Sequence, residues 1–509
     1  MRTTLPLLRR ALCATLAVLS GAAAAVPVTP TDTYFATRQW WLHALPATGD
    51  AGLPDLSNAW SRSTGVPKSG AGPVIAVLDT GIVPHPELDA RLVLPGYDFI
   101  SNAAYANEGD TENADRVGGT ERDANPYDRG DRLTRAEADA NPALWEGCAV
   151  ATSGRSSWHG TMIAGQIGAV SNDGQFAAGI NWHARILPVR VAGRCGAAPA
   201  DVVDGLRWAA GLPVAGVPLN ANPARIVVIG FAGFKSCNVN DSDPTVAAAA
   251  RDYIAAIQAV RAKGVLVVAA AGNGAEGVGR PANCPGVFAV TALNRQGFKA
   301  NYANFGPEVA LATVGGDMDR GATCDKQVAD SGILSTSNKG DFGPGEYGWA
   351  EGGGTSYASP IVAGVASLML AANPDLTVDQ LEAGLHATAR PHALVPLFGN
   401  CATGNNTRCT CTTATCGSGI LDADQALAYA VNPAGYAAPA RPAPTLRTTA
   451  IEQCAVAMGK PVPGNPPASA PTSTPVDAGG GGGGAAGLSE LLALLGLLVL
   501  LCVKHLRRR

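Results

Sequence analysis

The sequence predicts an α/β domain in which a mainly parallel sheet is covered by helices on both faces. Short apolar runs rich in β-branched residues have the length of buried strands. They are Val74–Leu78, Ile186–Val191, Ile226–Ile229, Val265–Ala270 and Val287–Thr291. Segments of helical length and composition lie between these runs, namely Thr161–Val170, Asp201–Ala210 and Val246–Ala262. Because this alternation is typical of parallel sheets, we expect the strands to run in one direction.

The composition is that of a globular protein without a nucleic-acid partner. The chain has 509 residues, of which 47% are hydrophobic and 15% charged, so it can bury a large core. Its formal net charge of −4 lacks the basic excess that nucleic-acid binding needs. The sequence contains no phosphate-binding Gly-x-x-x-x-Gly-Lys loop and no His-Glu-x-x-His zinc motif.

Asp79 and His159 are the candidate carboxylate and general base. Asp79 follows the first strand-like run in a Val-Leu-Asp-Thr-Gly sequence, and His159 lies in a Ser-Trp-His-Gly-Thr sequence. Functional sites of parallel α/β sheets form beyond the carboxyl ends of the strands, so Asp79 is expected at the active edge. An imidazole can take a proton from a serine hydroxyl, and a fixed carboxylate beside it stabilises the imidazolium.

Ser356 is the candidate nucleophile. It follows the glycines 352–354 and precedes the apolar run Pro360–Leu370, which is predicted as a helix. Because proline is tolerated in the first turn of a helix, Ser356 is expected at the helix N-terminus, where free N–H groups favour an oxyanion. Ala358 stands where a Gly-x-Ser-x-Gly elbow has glycine, which argues against an α/β-hydrolase.

The chain order Asp79, His159, Ser356 is one of three unrelated orders that build a Ser-His-Asp triad. With the motifs around these residues, the chain resembles the subtilase family of serine peptidases. The resemblance implies a three-layer, subtilisin-like α/β domain. It also implies an endopeptidase that hydrolyses protein or peptide substrates through an acyl-enzyme on Ser356. Asn273, by the same resemblance, donates to the oxyanion together with the Ser356 N–H. This chemistry requires no cofactor.

Gly230, Phe231, Ala232 and Gly272 are the substrate-binding residues that the resemblance implies. The family commonly has a Ser-Leu-Gly-Gly run on the strand that pairs with substrate, whereas this chain has Gly-Phe-Ala-Gly over residues 230–233. Backbone pairing by strand addition survives the change. The extra glycine and Phe231 are expected to alter the preference at the cleavage site.

An acidic insertion keeps a second function class open, that of a surface binding protein with a catalytically idle fold. The insertion spans about residues 98–148. Its acidic residues include Asp110, Glu112, Asp115, Asp123, Asp128 and Asp131. Loop carboxylates suit calcium, and Glu87 with the loop 171–174 matches the place of one calcium site of the family. A solvated acidic loop is the alternative interpretation, and no metal ligands are assigned.

The N-terminus has the pattern of a cleaved signal peptide, predicted over residues 1–25. Basic residues at positions 2, 9 and 10 precede an apolar run, and small residues continue to Ala25. We therefore expect export to an extracellular or cell-surface location and a peptidase domain over residues 26–432. The family resemblance begins so soon after the signal that almost no room is left for a folding propeptide.

Export also makes disulfides the expected state of the cysteines. Setting aside the cysteines of the predicted signal and of the final apolar segment leaves ten of the twelve. The resemblance implies that Cys148 pairs with Cys195 and that Cys237 pairs with Cys284. Four further cysteines lie close together in the sequence, which suggests either a zinc site or disulfides. The oxidising compartment favours disulfides. This cluster consists of Cys401, Cys409, Cys411 and Cys416.

The C-terminal part of the chain is predicted to lie outside the domain. Residues 433–487 are rich in Pro, Ala and Gly and are predicted as a linker. Residues 488–509 form an apolar segment with a basic tail, and the apolar run is short for a membrane span of about 20 residues. The order of a glycine run, an apolar run and a basic end resembles the GlyGly-CTERM sorting tail of Gram-negative bacteria. This resemblance implies export and sorting machinery as partners. Membrane attachment through this segment, with its basic end in the cytoplasm, is the rival interpretation.

Overall fold

The structure is a computed structural model of the chain and describes residues 26–107, 122–148, 150, 155–321, 324–446 and 453. The predicted signal peptide, part of the acidic insertion, most of the predicted linker and the C-terminal segment 488–509 lie outside these residues. The chain divides into two units, Met1–Lys460 and Pro461–Arg509. Every described residue belongs to the first unit.

A seven-stranded sheet forms the centre of the domain, and all of its strand pairs are parallel. Its strands are β1 (Val74–Asp79), β2 (Tyr97–Asp98), β3 (Arg185–Arg190), β4 (Ile226–Ile229), β5 (Leu266–Ala270), β6 (Phe288–Leu293) and β7 (Val309–Val314). They lie in the order β2-β3-β1-β4-β5-β6-β7. A separate antiparallel hairpin joins β8 (Ile333–Asn338) to β9 (Tyr347–Gly352). The predicted parallel sheet is therefore confirmed.

Helices of very different length surround the sheet. The helices are α1 (Phe35–Arg38), α2 (Leu56–Ala59), α3 (Ala103–Ala106), α4 (Arg135–Ala140), α5 (His159–Gly168), α6 (Pro199–Ala209), α7 (Pro244–Ala262), α8 (Cys324–Gln327), α9 (Thr355–Ala372), α10 (Val378–Thr388) and α11 (Ala423–Val431). Short 3₁₀ turns lie at Trp40–Leu42, Asp89–Arg91 and Pro433–Gly435. The helices predicted over α5, α6 and α7 each begin two residues earlier than expected. Pro199 and Pro244 explain two of these starts, because a fixed φ suits the first helical turn.

The core lies on both faces of the sheet, as the three-layer prediction requires. Along β1, Ile75 and Val77 pack on one side, in a cluster that includes residues of α5 and α9. Val74, Ala76 and Leu78 pack on the other side, in a cluster with residues of α6 and α7. Alternate side chains of a strand point to opposite faces, so a strand buried on both faces is a continuous apolar run.

Helix α9 runs through the interior of the domain. Among the described helices it is the one long and apolar enough to cross a membrane, but 94% of its length is buried inside the domain. The expectation that Pro360 lies in the first turn is wrong, because α9 begins at Thr355. Proline has no N–H, so the Ser356 carbonyl lacks its helical donor. The Ser359 hydroxyl donates to that carbonyl at 3.4 Å instead.

The described part of the predicted linker, residues 433–446, lies along the domain. We call residues 433–446 the strap. Leu394 exchanges backbone hydrogen bonds with it: the Leu394 N–H donates to Pro444 O at 2.8 Å, and Leu394 O accepts from the Leu446 N–H at 2.9 Å. The Arg441 guanidinium also donates to the buried carboxylate of Asp422. These contacts tie the strap to the segment 390–394 and to the start of α11.

The structure contains both disulfides that the family resemblance implied, Cys148–Cys195 and Cys237–Cys284. The four cysteines between residues 401 and 416 also form disulfides, as expected for an exported protein. These are Cys401–Cys409 and Cys411–Cys416. They enclose short loops on the side of the domain where Lys299 N–H donates to Cys409 O.

Candidate active site

Three neighbouring strands deliver the candidate residues to one edge of the sheet. β1 pairs in parallel with β4, and β4 pairs in parallel with β5. Asp79 is the last residue of β1, Gly230 follows β4, and Asn273 follows β5. Because the carboxyl ends of parallel strands meet at the same edge, residues far apart in sequence converge there.

Asp79 and His159 form a direct pair. The distance from His159 Nδ1 to Asp79 Oδ1 is 2.7 Å, and the Thr80 N–H donates to the same oxygen at 2.8 Å. Asp79 is 1% exposed, whereas the His159 side chain is 20% exposed and can reach a substrate. A Cβ added to Gly230 would lie 2.6 Å from Asp79 Oδ2 and 3.1 Å from His159 Cε1. Gly230, which stands where the family commonly has the serine of its Ser-Leu-Gly-Gly run, therefore leaves room for Asp79 and His159.

A bend before α5 orients His159. Trp158 adopts a left-handed conformation with φ of 51°, is 1% exposed and donates from Nε1 to Gly340 O at 3.1 Å. Ser157 donates through its N–H to Asp131 Oδ1 at 2.6 Å and through its hydroxyl to the same carboxylate. The Ser157 hydroxyl accepts from the His159 N–H at 3.3 Å. The acidic insertion thus holds the turn that carries the candidate base.

The pKa of His159 is raised above its ordinary value. Burial of the ring by itself lowers the pKa, but the charge of Asp79 and its hydrogen bond raise it. The charges of Asp131 and Asp128 add to that effect. The site therefore favours the imidazolium that forms when the ring takes a proton.

Two described acidic residues of the insertion, Asp123 and Asp128, differ from the solvated loop that was the alternative interpretation. Asp123 is 0% exposed and Asp128 is 1% exposed. Burial and the charge of Asp131 raise the pKa of Asp128 to about 6, against the opposing charge of Arg190. Asp128 accepts hydrogen bonds from the Thr80 hydroxyl and from the backbone of Gly130. These carboxylates are used to build the site rather than to face water.

Ser356 lies in the first turn of α9, at the predicted helix N-terminus. It is 7% exposed, and α9 packs against α5, which begins with His159. The ring of Tyr357 lies 5.9 Å from the His159 ring, measured between centroids. A Cβ added to Gly354 would lie 3.4 Å from Ser356 Oγ and 3.2 Å from Asn273 Nδ2. The nucleophile and the expected oxyanion donor therefore flank the same glycine.

The side-chain amide of Asn273 has a defined orientation. Its Oδ1 accepts from the Thr355 N–H at 2.9 Å and from the Thr355 hydroxyl at 3.0 Å. The Thr355 hydroxyl accepts in turn from the Gly272 N–H at 3.0 Å. The Thr355 N–H is a donor and therefore requires the amide oxygen of Asn273 as its partner. The amide nitrogen Nδ2 of Asn273 consequently lies on the side of Gly354 and Ser356. Thr355 thus orients the Asn273 amide, and adjacency to Ser356 was the only signal of this contact in the sequence.

The expected substrate-binding residues follow β4 and β5. The Gly233 N–H donates to Arg280 O at 2.8 Å, which sets the run 230–233 beside the segment 272–280. The Ala232 Cβ would be 3.6 Å from a Cβ on Gly272. The Phe231 ring is half-buried and packs against the core cluster of α6 and α7.

Acidic residues near the C-terminal end of α5, the end away from His159, fit a calcium ion. Glu87 and Asp32 are each 3% exposed, and Glu87 Oε2 and Asp32 Oδ1 are buried without a hydrogen-bond partner. Burial, followed by the charges of Asp173 and Asp32, raises the pKa of Glu87 to about 8. Asn172 joins this group, since its N–H donates to Asp32 Oδ2 at 2.6 Å. Calcium prefers such oxygen donors, so the residues present fit the ion. Asp32 lies in the N-terminal arm, where no local motif signalled it.

Comparison with known proteins agrees with this geometry. The family model described as the subtilase family matches residues 70–419. An extracellular protease of Xanthomonas campestris pv. campestris is 37% identical over 409 residues, covering 80% of this chain and 58% of that protein. An extracellular basic protease of Dichelobacter nodosus is 34% identical over 337 residues, covering 66% of this chain and 47% of that protein. The chain thus spans about half the length of these curated relatives.

A solved structure of proteases from Pseudoalteromonas arctica is similar in sequence and in fold. It shares 35% identity with a TM-score of 0.61, and the match covers 79% of this chain and 99% of that one. The seven-stranded parallel sheet agrees with this similarity in fold, and the subtilase family model matches more than half of the residues. The chain therefore belongs to the subtilase family.

Proposed function

We propose that the chain is a secreted or surface-attached serine endopeptidase that hydrolyses protein or peptide substrates through an acyl-enzyme on Ser356. One observation carries the proposal: the 2.7 Å contact between His159 and Asp79 lies at the edge where α9 presents Ser356 beside Asn273 Nδ2. A surface binding protein would have no need for this arrangement of buried carboxylate, imidazole, hydroxyl and amide donor.

The proposed reaction uses each group for one task. His159 takes the proton of the Ser356 hydroxyl as its oxygen attacks the peptide carbonyl, and Asp79 stabilises the imidazolium. Asn273 Nδ2 and the Ser356 N–H donate to the oxyanion. The tetrahedral intermediate collapses when His159 returns the proton to the leaving amine. Water then attacks the acyl-enzyme with His159 again as the base, which releases the carboxylic acid and restores the hydroxyl.

Substrate binding is proposed along the run that contains Gly230, Phe231 and Ala232, with Gly272 opposite. An extended peptide pairs with this backbone by strand addition. Since the Phe231 ring packs on the core, the Ala232 methyl group is the proposed determinant of side-chain size at the cleavage site. Its position near Gly272 favours small substrate side chains.

The proposed location is extracellular. The relatives from Xanthomonas campestris and Dichelobacter nodosus are named extracellular proteases. The basic and apolar pattern of residues 1–25 supports export, and the segment 488–509 supports either sorting by the export machinery or attachment to the membrane. These segments are proposed as processing signals that act before or after the peptidase domain has folded.

Calcium is proposed as a structural ion and not as a participant in the reaction. Glu87, Asp32, Asp173 and Asn172 would hold it, and its charge would compensate the buried carboxylates. The site lies away from Asp79 and His159, so calcium would stabilise the fold and leave the roles of the catalytic groups unchanged.

The proposal is tested with casein hydrolysis and with labelling by a fluorophosphonate. Wild-type protein should cleave casein and take up one label, whereas Ser356→Ala should take up none and lose about 10⁶ in turnover, a magnitude measured in subtilisin itself. Ser367→Ala, in the same helix, is the matched control because its hydroxyl bonds to Gly364 O and Asn181. A binding protein would neither cleave casein nor react, and casein turnover retained by Ser356→Ala would contradict the proposed nucleophile.

A further inference from the structure

Asn304 connects two segments that no motif in the sequence associates. It lies in the turn 300–305 after β6 and is 3% exposed. Its Oδ1 accepts from the Gly274 N–H at 2.8 Å and from the Glu276 N–H at 3.2 Å. Its Nδ2 donates to Ala271 O at 3.2 Å and to Gly277 O at 2.8 Å. One side chain therefore bonds to four backbone groups of the loop 271–277, which carries Asn273.

Backbone hydrogen bonds reinforce this connection. The Asn304 N–H donates to Gly272 O at 2.9 Å, and the Phe305 N–H donates to Glu276 O at 2.9 Å. The Ala275 N–H donates to Tyr302 O at 2.7 Å. Ala275 has a φ of 53°, which is unfavourable for a residue with a side chain. The loop 271–277 thus keeps its conformation through partners supplied by the turn 300–305.

The close approach of Asn304 also explains a glycine. A Cβ on Gly272 would lie 2.4 Å from Asn304 Nδ2, and Gly272 has a φ of 111°. Any other residue at this position would push the side chain of Asn304 away from the loop and strain the backbone. The Gly-Asn sequence at 272–273 therefore serves both the oxyanion donor and the amide that supports it.

Buried side chains stabilise the turn 300–305 by hydrogen bonds to its carbonyl groups. Lys299 is 0% exposed, and its Nζ donates to Ala300 O at 2.9 Å and to Ala303 O at 2.8 Å. The Thr291 hydroxyl donates to Asn304 O at 2.5 Å. A buried amino group that donates to the carbonyls of residues 300 and 303 keeps the turn closed, so Asn304 has a rigid base.

We propose that Asn304 is a positioning residue for the oxyanion site, which rests on the peptidase function proposed above. Thr355 orients the Asn273 side chain from α9, and Asn304 holds the backbone of Ala271 and Gly274, before and after Asn273 in the loop. An oxyanion donor contributes only when it is already placed where the negative charge develops. Loss of the Asn304 amide would let the loop 271–277 shift, and the Nδ2 donor of Asn273 would move with it.

The test compares Asn304→Asp and Asn304→Ala with wild type. Asn304→Asp keeps an acceptor for the Gly274 and Glu276 N–H groups but loses the donors to Ala271 O and Gly277 O. We expect kcat to fall by about 10²-fold with little change in KM, since a small displacement at the reacting centre has that effect. Affinity for a peptide boronic acid, which forms a tetrahedral adduct, should fall by a similar factor, while affinity for the product-like peptide acid should stay unchanged.

Asn294→Ala is the matched control. Asn294 is also buried and donates to Asp317 Oδ2 and Val328 O, and among the described residues no hydrogen bond joins it to the loop 271–277. Its loss should lower thermal stability and leave kcat unchanged. Asn304→Asp, which retains the acceptor for the Gly274 and Glu276 N–H groups, provides the measurement if Asn304→Ala fails to fold.

Several results would overturn the inference. Folded Asn304 variants with kcat within about twofold of wild type would do so, and so would equal losses of boronic acid and product affinity. A loss of kcat in Asn294→Ala as large as in Asn304→Ala would assign both effects to general destabilisation. A wild-type chain that neither reacts with the fluorophosphonate nor cleaves casein would overturn the peptidase function itself and the inference with it.

Discussion

Asp128 accepts a 2.6 Å hydrogen bond from the hydroxyl of Thr80, the residue that follows the catalytic candidate Asp79. The same hydroxyl accepts from the Gly160 N–H at 3.1 Å. A carboxylate of the acidic insertion is therefore linked to the strand end that carries Asp79 and to the helix start that carries His159. The insertion contributes to the electrostatics of the site as well as to its geometry.

Asp131→Asn is expected to extend activity to lower pH. The negative charge of Asp131 is one cause of the raised pKa of His159, so its removal lowers that pKa. His159 must be neutral to act as a base, and kcat/KM falls as pH drops through its pKa. The acid limb of kcat/KM against pH should therefore move to lower pH. The amide can still bond to the Ser157 N–H and hydroxyl, which isolates the effect of charge.

The control for this prediction is Asp139→Asn. Asp139 is 66% exposed and pairs with Arg135 on the α4 surface, so its removal should leave the acid limb in place. The shift in Asp131→Asn should also shrink at high salt, because salt screens partly exposed charges. A profile of Asp131→Asn that coincides with wild type, or moves to higher pH, would contradict the assigned role.

Glu87→Gln is expected to separate calcium binding from intrinsic stability. The pKa of Glu87 is raised to about 8, so in chelated protein the folded state retains a proton that the unfolded state loses above about 4.5. The free energy of unfolding should therefore fall as pH rises between these values. Glu87→Gln removes the uncompensated carboxylate, which should raise Tm in chelator and reduce the gain in Tm on adding calcium.

The exposed residue Asp375 provides the control, as Asp375→Asn should retain the full calcium response. Melting curves at pH 8 with chelator and with millimolar calcium make the measurement. If wild-type Tm does not respond to calcium, the proposed ion is absent. If Glu87→Gln keeps the whole response, the ion lies elsewhere.

Ala232→Gly is expected to broaden the preference at the cleavage site. The methyl group lies 3.6 Å from where a Cβ on Gly272 would be and 3.4 Å from where a Cβ on Gly279 would be. Its removal enlarges the space between the two segments, and a methyl-sized change in an apolar pocket typically alters selectivity by about 10- to 200-fold. The ratio of kcat/KM for phenylalanine over alanine substrates should rise, with glycine substrates as the internal control. An unchanged ratio would show that Ala232 does not line the pocket.

The disulfides are expected to differ in their contribution to stability according to loop length. Cys237–Cys284 spans a separation of 47 residues, whereas Cys411–Cys416 spans 5. Loop entropy predicts that replacing the first pair by serines lowers the free energy of unfolding by about 4 kcal/mol, and replacing the second by about 2 kcal/mol. Denaturant unfolding under oxidising conditions measures both. A larger loss for the short loop would mean that its disulfide acts through packing and not through chain entropy.

Most of the central sheet was predictable because its strands are buried on both faces. The predicted runs over β1, β3, β4, β5 and β6 agree with the structure within two residues at each end. β2 contains only Tyr97 and Asp98, and β9 mixes Gly, Trp and Glu, so neither has a continuous apolar pattern. Both depend on a neighbouring strand to supply hydrogen-bond partners, which periodicity does not detect.

The candidate reacting groups could be proposed from the sequence for a similar reason, since they lie in short local motifs. Asp79 ends a buried strand, and Ser356 begins a helix, so strand ends and helix starts locate them before any contact is known. Phe231 illustrates the limit of this reasoning. Its side chain packs on the core, and the sequence did not determine on which side of the run it would lie.

The sequence by itself determined the class of fold and the prediction of Asp79, His159 and Ser356 as the reacting groups, because residue type and local pattern carry that information. Only the tertiary structure decided which groups support them. Asp128 reaches Thr80 across 48 residues, and Asn304 reaches Gly274 across 30. Such roles depend on the direction of individual hydrogen bonds between distant segments, and these directions exist only after the strands and helices have packed.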